Sequence, residues 1–224
     1  MSICFLIPTY NRQQSCQLIV NSLQGQGDIF VLNDGSDYTI NRCNFFSNPY
    51  HQGKQGYYRT INTLFSLPTK IYSYYFILPD DHLPADDMVS KAISTWEGIN
   101  DSAKLCLNIL SDRIGKPCWT NFLPIEYYTV YKTQWVDMCF LTIPSFFSNL
   151  GSIPKPNIDW NNYPNMSSGV GRYISVKLNK HNFSLYQVKE SLVSPLPDHL
   201  HSQMHHPKTP IILQKPPRNI IRHR

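Results

Sequence analysis

The sequence lacks any long hydrophobic run. None of its apolar stretches approaches the roughly 20 residues that a membrane-spanning helix needs, so no membrane span is expected. A signal-peptide pattern is also missing, because the first apolar stretch is short and runs into Pro8 and Asn11. These absences predict a cytoplasmic protein, located in the host cytoplasm if its source is a virus.

The cysteines lack the spacing of a metal site. The six cysteines form no CxxC pair and show no regular interval, which is atypical of a zinc site or a disulfide framework. Cys4, Cys106 and Cys139 lie within apolar, strand-like runs. The sequence therefore favours buried free thiols over zinc binding or disulfides.

Acidic residues are missing from the C-terminal end. After Asp198 there is no acid, although five lysines and arginines and five of the eight histidines follow, so the formal charge of +5 arises there. Such a tail favours an anionic partner: nucleic acid, a diphosphate or an acidic membrane surface. The alternative is a solvated, poorly ordered end. With 224 residues and 42% apolar content, the sequence predicts one domain over residues 1–198 and a basic, histidine-rich tail over residues 199–224.

Apolar patterns along the chain predict an α/β fold. Short apolar runs predict strands at residues 3–7, 28–33, 71–78, 104–110, 127–131, 135–143 and 183–188. Helical spacing predicts helices at residues 12–24, 57–65, 84–96 and 169–180. Residues 34–53 are predicted to form a loop. Because strands and helices alternate in the first half, the sheet is expected to be parallel there.

The strand at residues 71–78 is followed by two adjacent carboxylates, Asp80 and Asp81. Two carboxylates at one strand tip repel each other unless a cation lies between them. A hard divalent metal that also binds diphosphate oxygens satisfies such a pair. The alternative is a helix-capping acid cluster, since Asp86 and Asp87 follow.

Two further strands end in polar loops. The first strand runs into the sequence PTYNR, and the second ends in NDGSD. Three strands that finish in polar loops indicate one edge of a parallel sheet, which is where nucleotides bind in such folds.

The motifs IPTYNR, LNDGSD and the strand-end acids, in this order, resemble those of nucleotide-sugar-dependent glycosyltransferases with a GT-A fold, family 2 type. The resemblance covers residues 1–90 well, 130–190 loosely and the tail hardly at all. It implies a GT-A-like, Rossmann-like single domain with a mostly parallel central sheet flanked by helices. Residues 1–100 would form the nucleotide-sugar-binding half and residues 101–198 the acceptor-side half. The resemblance implies a UDP-sugar donor, UDP-glucose for example, and a divalent Mn²⁺ or Mg²⁺ ion. An inverting mechanism is implied by the resemblance alone.

The same resemblance assigns donor-binding residues. The implied donor contacts are Pro8, Thr9, Tyr10, Arg12, Asp34 and Asp80, and the implied metal ligand is Asp81. Asn33 replaces an aspartate of the family pattern, which leaves the base preference open. The alternatives are a turn with a helix start for the first loop and an Asx-turn for Asp34.

A glycine-rich segment, residues 53–56, precedes a helix and could hold an anion at the helix N-terminus. It is not a Walker A motif, because the sequence GK[ST] is absent. The resemblance places a basic donor contact in this region, and the candidates are Lys54 and Arg59.

The catalytic base is less clearly indicated. The resemblance places an acid at the start of a late helix, but residues 167–172 contain none. Asp137, in an otherwise apolar strand-like run, is the first candidate base, with an acid paired to arginine as the alternative. Asp159 is the second candidate. His201 in the histidine-rich tail is a candidate further metal ligand, with a surface histidine run as the alternative.

The acceptor is left open between two classes. A hydroxymethylated pyrimidine in DNA is the leading hypothesis, because aromatic side chains can stack an extruded base and basic ones can hold phosphates. A glycan or lipid-linked sugar is the alternative. Two hypotheses from other classes are a nucleotidyltransferase, which should carry a glycine-rich basic N-terminal loop, and a nucleic-acid-binding protein without catalysis.

Overall fold

The computed structural model describes residues 1–111, 125–127, 129–160, 162 and 167–197. The strands are β1 (Ile3–Thr9), β2 (Asp28–Asn33), β3 (Asn44–Ser47), β4 (Tyr74–Ile77), β5 (His82–Pro84), β6 (Lys104–Asn108), β7 (Ile125–Tyr127), β8 (Val130–Thr133), β9 (Phe140–Thr142), β10 (Ser184–Val188) and β11 (Val193–Pro195). The helices are α1 (Gln13–Ser22), α2 (Gly53–Ser66), α3 (Met88–Gly98), α4 (Ser145–Leu150) and α5 (Val170–Lys180).

A nine-stranded sheet organises the described part of the chain, with the order β3-β2-β1-β4-β9-β6-β10-β8-β7. The first four strands are parallel to one another, and β10 is parallel to β6. Strand β9 runs antiparallel between β4 and β6. The central sheet is therefore mostly parallel in direction, and the carboxyl ends of β1, β2, β4 and β6 meet at one edge.

Helices cover both faces of this sheet. Along β1, Ile3, Phe5 and Ile7 pack into one core cluster, while Cys4 and Leu6 pack into the other. Successive side chains of a strand point to opposite faces, so a strand covered on both sides is hydrophobic throughout. Helices α1 and α3 contribute to the first cluster, and α2, α4 and α5 contribute to the second. The resulting three-layer architecture confirms the predicted α/β fold class.

The predicted elements agree with the structure in most places. The strand at residues 28–33 has the predicted bounds, and the late helix begins one residue later than predicted. Other predictions were wrong in part. The predicted loop at residues 34–53 contains the edge strand β3, and the predicted helix at residues 84–96 begins only at Met88. Strands β5 and β11 and helix α4 were not predicted.

The predicted strand at residues 135–143 is short in the structure, where β9 spans only Phe140–Thr142. The buried Asn108 side chain explains the difference. Its amide nitrogen donates to the Trp135 carbonyl (2.7 Å), and its amide oxygen accepts from the Asp137 backbone N–H (2.9 Å). Because these backbone groups bond to a side chain, residues 135–137 form a loop at the sheet edge.

The cysteines in the described ranges are free thiols, and Cys4, Cys16, Cys106 and Cys139 are buried. Cys118 lies outside the described residues, as does the whole of the predicted tail at 199–224. Among the helices that the structure describes, none combines the length and apolar character that crossing a membrane would require.

Candidate active site

A cavity of about 230 Å³ lies at the carboxyl edge of the parallel strands. It is bounded by the loops after β1 and β4, by the loop that precedes β9 and by the first turn of α5. Sites that enclose a whole ligand usually measure about 300–1,000 Å³, so this cavity suits one part of an extended ligand. Its charged and hydroxyl lining includes Arg12, Asp80, Asp81, Asp137, Ser168 and Arg172.

Asp80 is the most buried of the cavity acids, with 4% of its surface exposed. Its Oδ2 accepts the backbone N–H of Tyr10 (3.2 Å), and its Oδ1 accepts a bond from Arg12 Nη1 (3.2 Å). Burial raises the pKa of Asp80 to about 7, while the Arg12 guanidinium opposes this rise and the neighbouring Asp81 adds to it. Because burial disfavours the ionised form of Asp80, a nearby cation is needed to stabilise its negative charge.

Arg12 supplies that cation in the structure. Its Nη1 lies 2.9 Å from Asp81 Oδ2 as well as 3.2 Å from Asp80 Oδ1, and its side chain is only 4% exposed. The other oxygen of Asp81, Oδ1, lies 2.7 Å from His82 Nδ1. The sequence predicted a divalent metal at this acid pair, and in the structure the Arg12 guanidinium contacts both acids.

Asp137 faces the same cavity from the loop before β9. The two bonds to the Asn108 amide hold this loop, and Asp137 Oδ1 accepts the backbone N–H of Met138 (2.9 Å). The carboxylate therefore lies on a hydrogen-bonded loop and lines the same cavity as Asp80 and Asp81, although these residues are far apart in the sequence.

Asp34 lies in a second polar cluster at the end of β2, where it is fully buried. Its Oδ1 accepts bonds from Asn48 Nδ2 and Thr60 Oγ1 (both 2.7 Å). Its Oδ2 accepts the backbone N–H of Gln52 (3.0 Å) and lies 2.8 Å from His51 Nδ1. A carboxylate has about four acceptor sites, so these protein contacts occupy Asp34. The geometry favours a positioning role for this residue over direct contact with a ligand.

The residue that Asp34 positions is His51, whose ring stacks on Tyr10 with centroids 3.6 Å apart and planes 9° apart. The close approach of two loops makes this arrangement possible. Gly35 has φ +85°, and a Cβ there would lie 2.3 Å from the backbone of Tyr50 and His51. Any side chain at position 35 would push the His51 segment away.

The remaining sequence-predicted residues are distributed differently. Pro8 lines the cavity, whereas Thr9 is buried and its hydroxyl bonds to Tyr38 Oη (2.8 Å). Lys54 and Arg59 lie on α2 away from the cavity lining, and Arg59 Nε donates to Tyr58 Oη (3.0 Å).

The second candidate base, Asp159, is exposed and does not line the cavity. Its carboxylate accepts bonds from the backbone N–H (3.1 Å) and Nδ2 (2.6 Å) of Asn162. His201, the candidate further metal ligand, lies outside the described residues.

The polar residues of these clusters that sequence reasoning missed include His51, Asn108, Ser168 and Arg172. Each is a single polar residue without a recognisable local motif. Arg172 was visible at the start of the late helix, but only the packing of α5 against the sheet edge shows that it lines the cavity.

Comparison with known proteins agrees with this geometry at the level of the fold. No protein-family model matches the chain, and no curated protein matches its sequence. Solved structures do match. The catalytic domain of Drosophila beta1,4-galactosyltransferase 7, in complex with xylobiose, shares 15% identity with a TM-score of 0.53, covering 96% of this chain and 75% of that one.

Two bacterial structures are similar to the same extent. Glucosyl-3-phosphoglycerate synthase from Mycobacterium tuberculosis, in complex with Mg²⁺ and UDP, has a TM-score of 0.57 at 10% identity, over 87% of this chain and 71% of that one. TarS of S. aureus has a TM-score of 0.56 at 9% identity, over 89% of this chain but only 37% of that one. The chain therefore has the GT-A fold of these glycosyltransferases, as its first 90 residues predicted.

Proposed function

We propose that this protein is a metal-dependent glycosyltransferase that moves a sugar from a nucleotide sugar, a UDP-sugar in particular, to an acceptor hydroxyl. The observation that carries the proposal is the convergence of Asp80, Asp81 and Asp137 on one cavity at the carboxyl edge of a GT-A fold. Structural neighbours support the donor class, since one was solved with Mg²⁺ and UDP and another with manganese and UDP-Gal.

The residues fit a divalent cation at Asp80 and Asp81. Within the described residues, no group of three or more His, Cys, Asp or Glu side chains forms a site for a metal ion. However, Mg²⁺ is commonly held by one or two carboxylates together with substrate phosphates. Asp80 is buried and Asp81 partly exposed, and this acid pair already accommodates one positive group, that of Arg12. Bound there, Mn²⁺ or Mg²⁺ would supply Lewis-acid stabilisation of the diphosphate leaving group.

The Tyr10–His51 stack is the candidate contact for the nucleobase. Flat aromatic rings stack on nucleobases with little dependence on which base is bound. Asp34 holds His51 Nδ1, and the Tyr10 backbone is bonded to Asp80, so the stack is fixed relative to the acid pair. Pro8 would flank the donor at the cavity, and Arg12 could reach its phosphates with a planar, multi-donor head.

Asp137 is the candidate general base. A base must reach the acceptor hydroxyl proton within hydrogen-bonding distance, and a carboxylate on the cavity wall is in a suitable place. Its loop is held by Asn108, which fixes the carboxylate relative to Asp80 and Asp81. We propose an inverting, hexosyl-type transfer because the sequence motifs resemble those of nucleotide-sugar-dependent glycosyltransferases.

The leading acceptor hypothesis remains a hydroxymethylated pyrimidine in DNA, with a glycan or lipid-linked sugar as the alternative. The basic tail on which the DNA hypothesis rests lies outside the described residues.

A panel of UDP-sugars should be assayed for UDP release with Mn²⁺, with and without DNA containing 5-hydroxymethylcytosine and with glycan acceptors. DNA-stimulated release would support the DNA hypothesis, and glycan-stimulated release would replace it. Salt-sensitive DNA binding without turnover of any donor would favour a non-catalytic nucleic-acid-binding protein.

A further inference from the structure

The four carboxylate oxygens of the acid pair, Asp80 and Asp81, have partners of two kinds. Asp80 Oδ2 accepts the backbone N–H of Tyr10 (3.2 Å). Asp81 Oδ1 lies 2.7 Å from His82 Nδ1. The remaining two oxygens, Asp80 Oδ1 and Asp81 Oδ2, instead share one nitrogen, Arg12 Nη1, at 3.2 Å and 2.9 Å. A single positive group therefore bridges the two acids.

The partners other than Arg12 belong to fixed parts of the fold. His82 is only 6% exposed and lies in β5, where it is paired with Pro195 of β11. Directly after β11, the backbone N–H of Leu196 donates to the Asp81 carbonyl (2.8 Å). Asp81 is thus held through both its backbone and its side chain, so the carboxylate can keep its place when the guanidinium moves.

The Arg12 side chain can move without its backbone. The Arg12 carbonyl accepts the backbone N–H of Cys16 (2.9 Å) where α1 begins, which fixes the main chain. The side chain lines the cavity, so rotation about its own bonds between staggered rotamers can turn the guanidinium from the acids into the cavity.

Charge balance makes the guanidinium and a divalent cation competitors. The acid pair supplies two negative charges, which one divalent cation balances completely. A guanidinium that stayed on the same two oxygens would add a third positive charge next to that ion, and like charges repel. A diphosphate in the cavity supplies new negative charge, and a planar guanidinium binds phosphate oxygens well.

We propose that Arg12 is an exchangeable counter-ion of the acid pair. A divalent cation that binds Asp80 and Asp81 displaces the guanidinium, and the displaced guanidinium then contacts the donor diphosphate in the same cavity. Arg12 therefore opposes binding of the metal alone and favours binding of the metal and the donor together. This inference deepens the proposed glycosyltransferase function and rests on it.

The first test measures Mn²⁺ affinity of the full chain without UDP, from the electron paramagnetic resonance signal of free Mn²⁺. The proteins compared are the wild type, Arg12→Gln and Arg12→Lys. Arg42→Gln, the same substitution at an exposed position off the cavity, is the matched control. Asp81→Asn shows which part of the Mn²⁺ binding occurs at the acid pair.

Arg12→Gln should bind Mn²⁺ about tenfold or more tightly than the wild type, because an occupied site lowers the apparent affinity by the fraction of molecules in which it is open. Arg12→Lys keeps a positive charge and should stay closer to the wild type, and Arg42→Gln should match it. A purely structural role for Arg12 predicts the opposite direction, since a disturbed acid pair would bind Mn²⁺ less tightly.

The second test repeats the titrations with UDP. UDP should raise Mn²⁺ affinity more in the wild type than in Arg12→Gln, because the displaced guanidinium gains the diphosphate as a partner. By reciprocity, Mn²⁺ should raise UDP affinity by the same factor. If Arg12→Gln does not fold, Arg12→Lys takes its place. Its rise should also be smaller than that of the wild type, because a lysine cannot bind phosphate through two parallel bonds.

Equal or weaker Mn²⁺ binding in folded Arg12→Gln, with binding lost in Asp81→Asn, would overturn the exchange and leave the metal site in place. Equal tightening in Arg42→Gln would overturn it as well, because net charge alone would then explain the effect. An equal rise with UDP in the wild type and the Arg12 variants would remove the link to the diphosphate.

Two further results would reach beyond Arg12. Absence of Mn²⁺ binding in every protein, with and without UDP, would overturn both the metal site and the exchange. Failure of UDP to bind the wild type would overturn the glycosyltransferase proposal, whereas the Mn²⁺ titrations without UDP would still decide whether Arg12 competes with the metal.

Discussion

Arg12 Nη1 lies 2.9 Å from Asp81 Oδ2, with both side chains largely withdrawn from solvent. The same nitrogen contacts Asp80 Oδ1, so one guanidinium compensates two adjacent carboxylates. Removing one partner of a buried charge pair costs more than the pair itself contributes, because the remaining charge is left uncompensated. The stability of the fold around Asp80 and Asp81 therefore depends on the cation that contacts them.

Arg12→Met should lower the free energy of unfolding by about 3–5 kcal/mol, because Asp80 and Asp81 then face each other without a counter-charge. Mn²⁺ should raise the melting temperature of this variant more than that of the wild type, since the ion replaces the lost cation. Thermal unfolding with and without Mn²⁺ measures both effects. An equal Mn²⁺ shift in the two proteins would argue against a metal at the acid pair.

Asp137→Asn should lower turnover by about 10²–10⁴-fold, the usual contribution of a general base. UDP affinity should change little, because the carboxylate is assigned to the acceptor side. Asp159→Asn serves as the comparison, since Asp159 is exposed and off the cavity, and it should lower turnover far less. A larger loss in the Asp159 variant would reverse the assignment of the base.

His51→Ala should weaken UDP binding by about tenfold or more, because base–aromatic stacking contributes about 1–3 kcal/mol. His51→Phe keeps a flat ring but loses the contact with Asp34, and it should restore part of the affinity. Calorimetric titration with UDP compares the three proteins. Unchanged affinity in His51→Ala would show that the base binds elsewhere.

Asp101 gives a pH-dependent prediction away from the site. Burial tends to raise the pKa of Asp101, but hydrogen bonds from Ser184, Tyr186 and the Ala103 N–H lower it to about 2. A carboxyl whose folded pKa is depressed stabilises the fold above its unfolded pKa and loses that contribution as the pH falls. Asp101→Asn should therefore cost about 2 kcal/mol at pH 7.

The difference between the wild type and Asp101→Asn should shrink as the pH falls from about 5 toward 2, because the carboxyl then becomes protonated. Urea unfolding across this range measures it. Asp86→Asn, at an exposed position, is the control and should change stability by less than about 0.5 kcal/mol. A difference that is independent of pH would mean that the Asp101 carboxylate is not the stabilising group.

The sequence predicted the parts of the molecule that depend on local patterns. Strand β2 and the acids after β4 were recognisable because a continuous apolar run ends in polar residues, and this edge holds the cavity. The antiparallel insertion of β9 between β4 and β6 was not predictable, since strand order depends on tertiary packing. His51 and Arg172 were missed for the same reason, because only the folded chain brings them to Tyr10 and to the cavity.

The most direct test of the central claim is UDP release from UDP-sugars by the wild type and Asp81→Ala, each with Mn²⁺ and with a chelator. Wild-type turnover that requires Mn²⁺ and disappears in a folded Asp81→Ala variant is the predicted result. Turnover that persists with the chelator, or that survives in Asp81→Ala, would contradict the metal site. Absence of release from every donor by the folded wild type would contradict the assignment of a UDP-sugar glycosyltransferase.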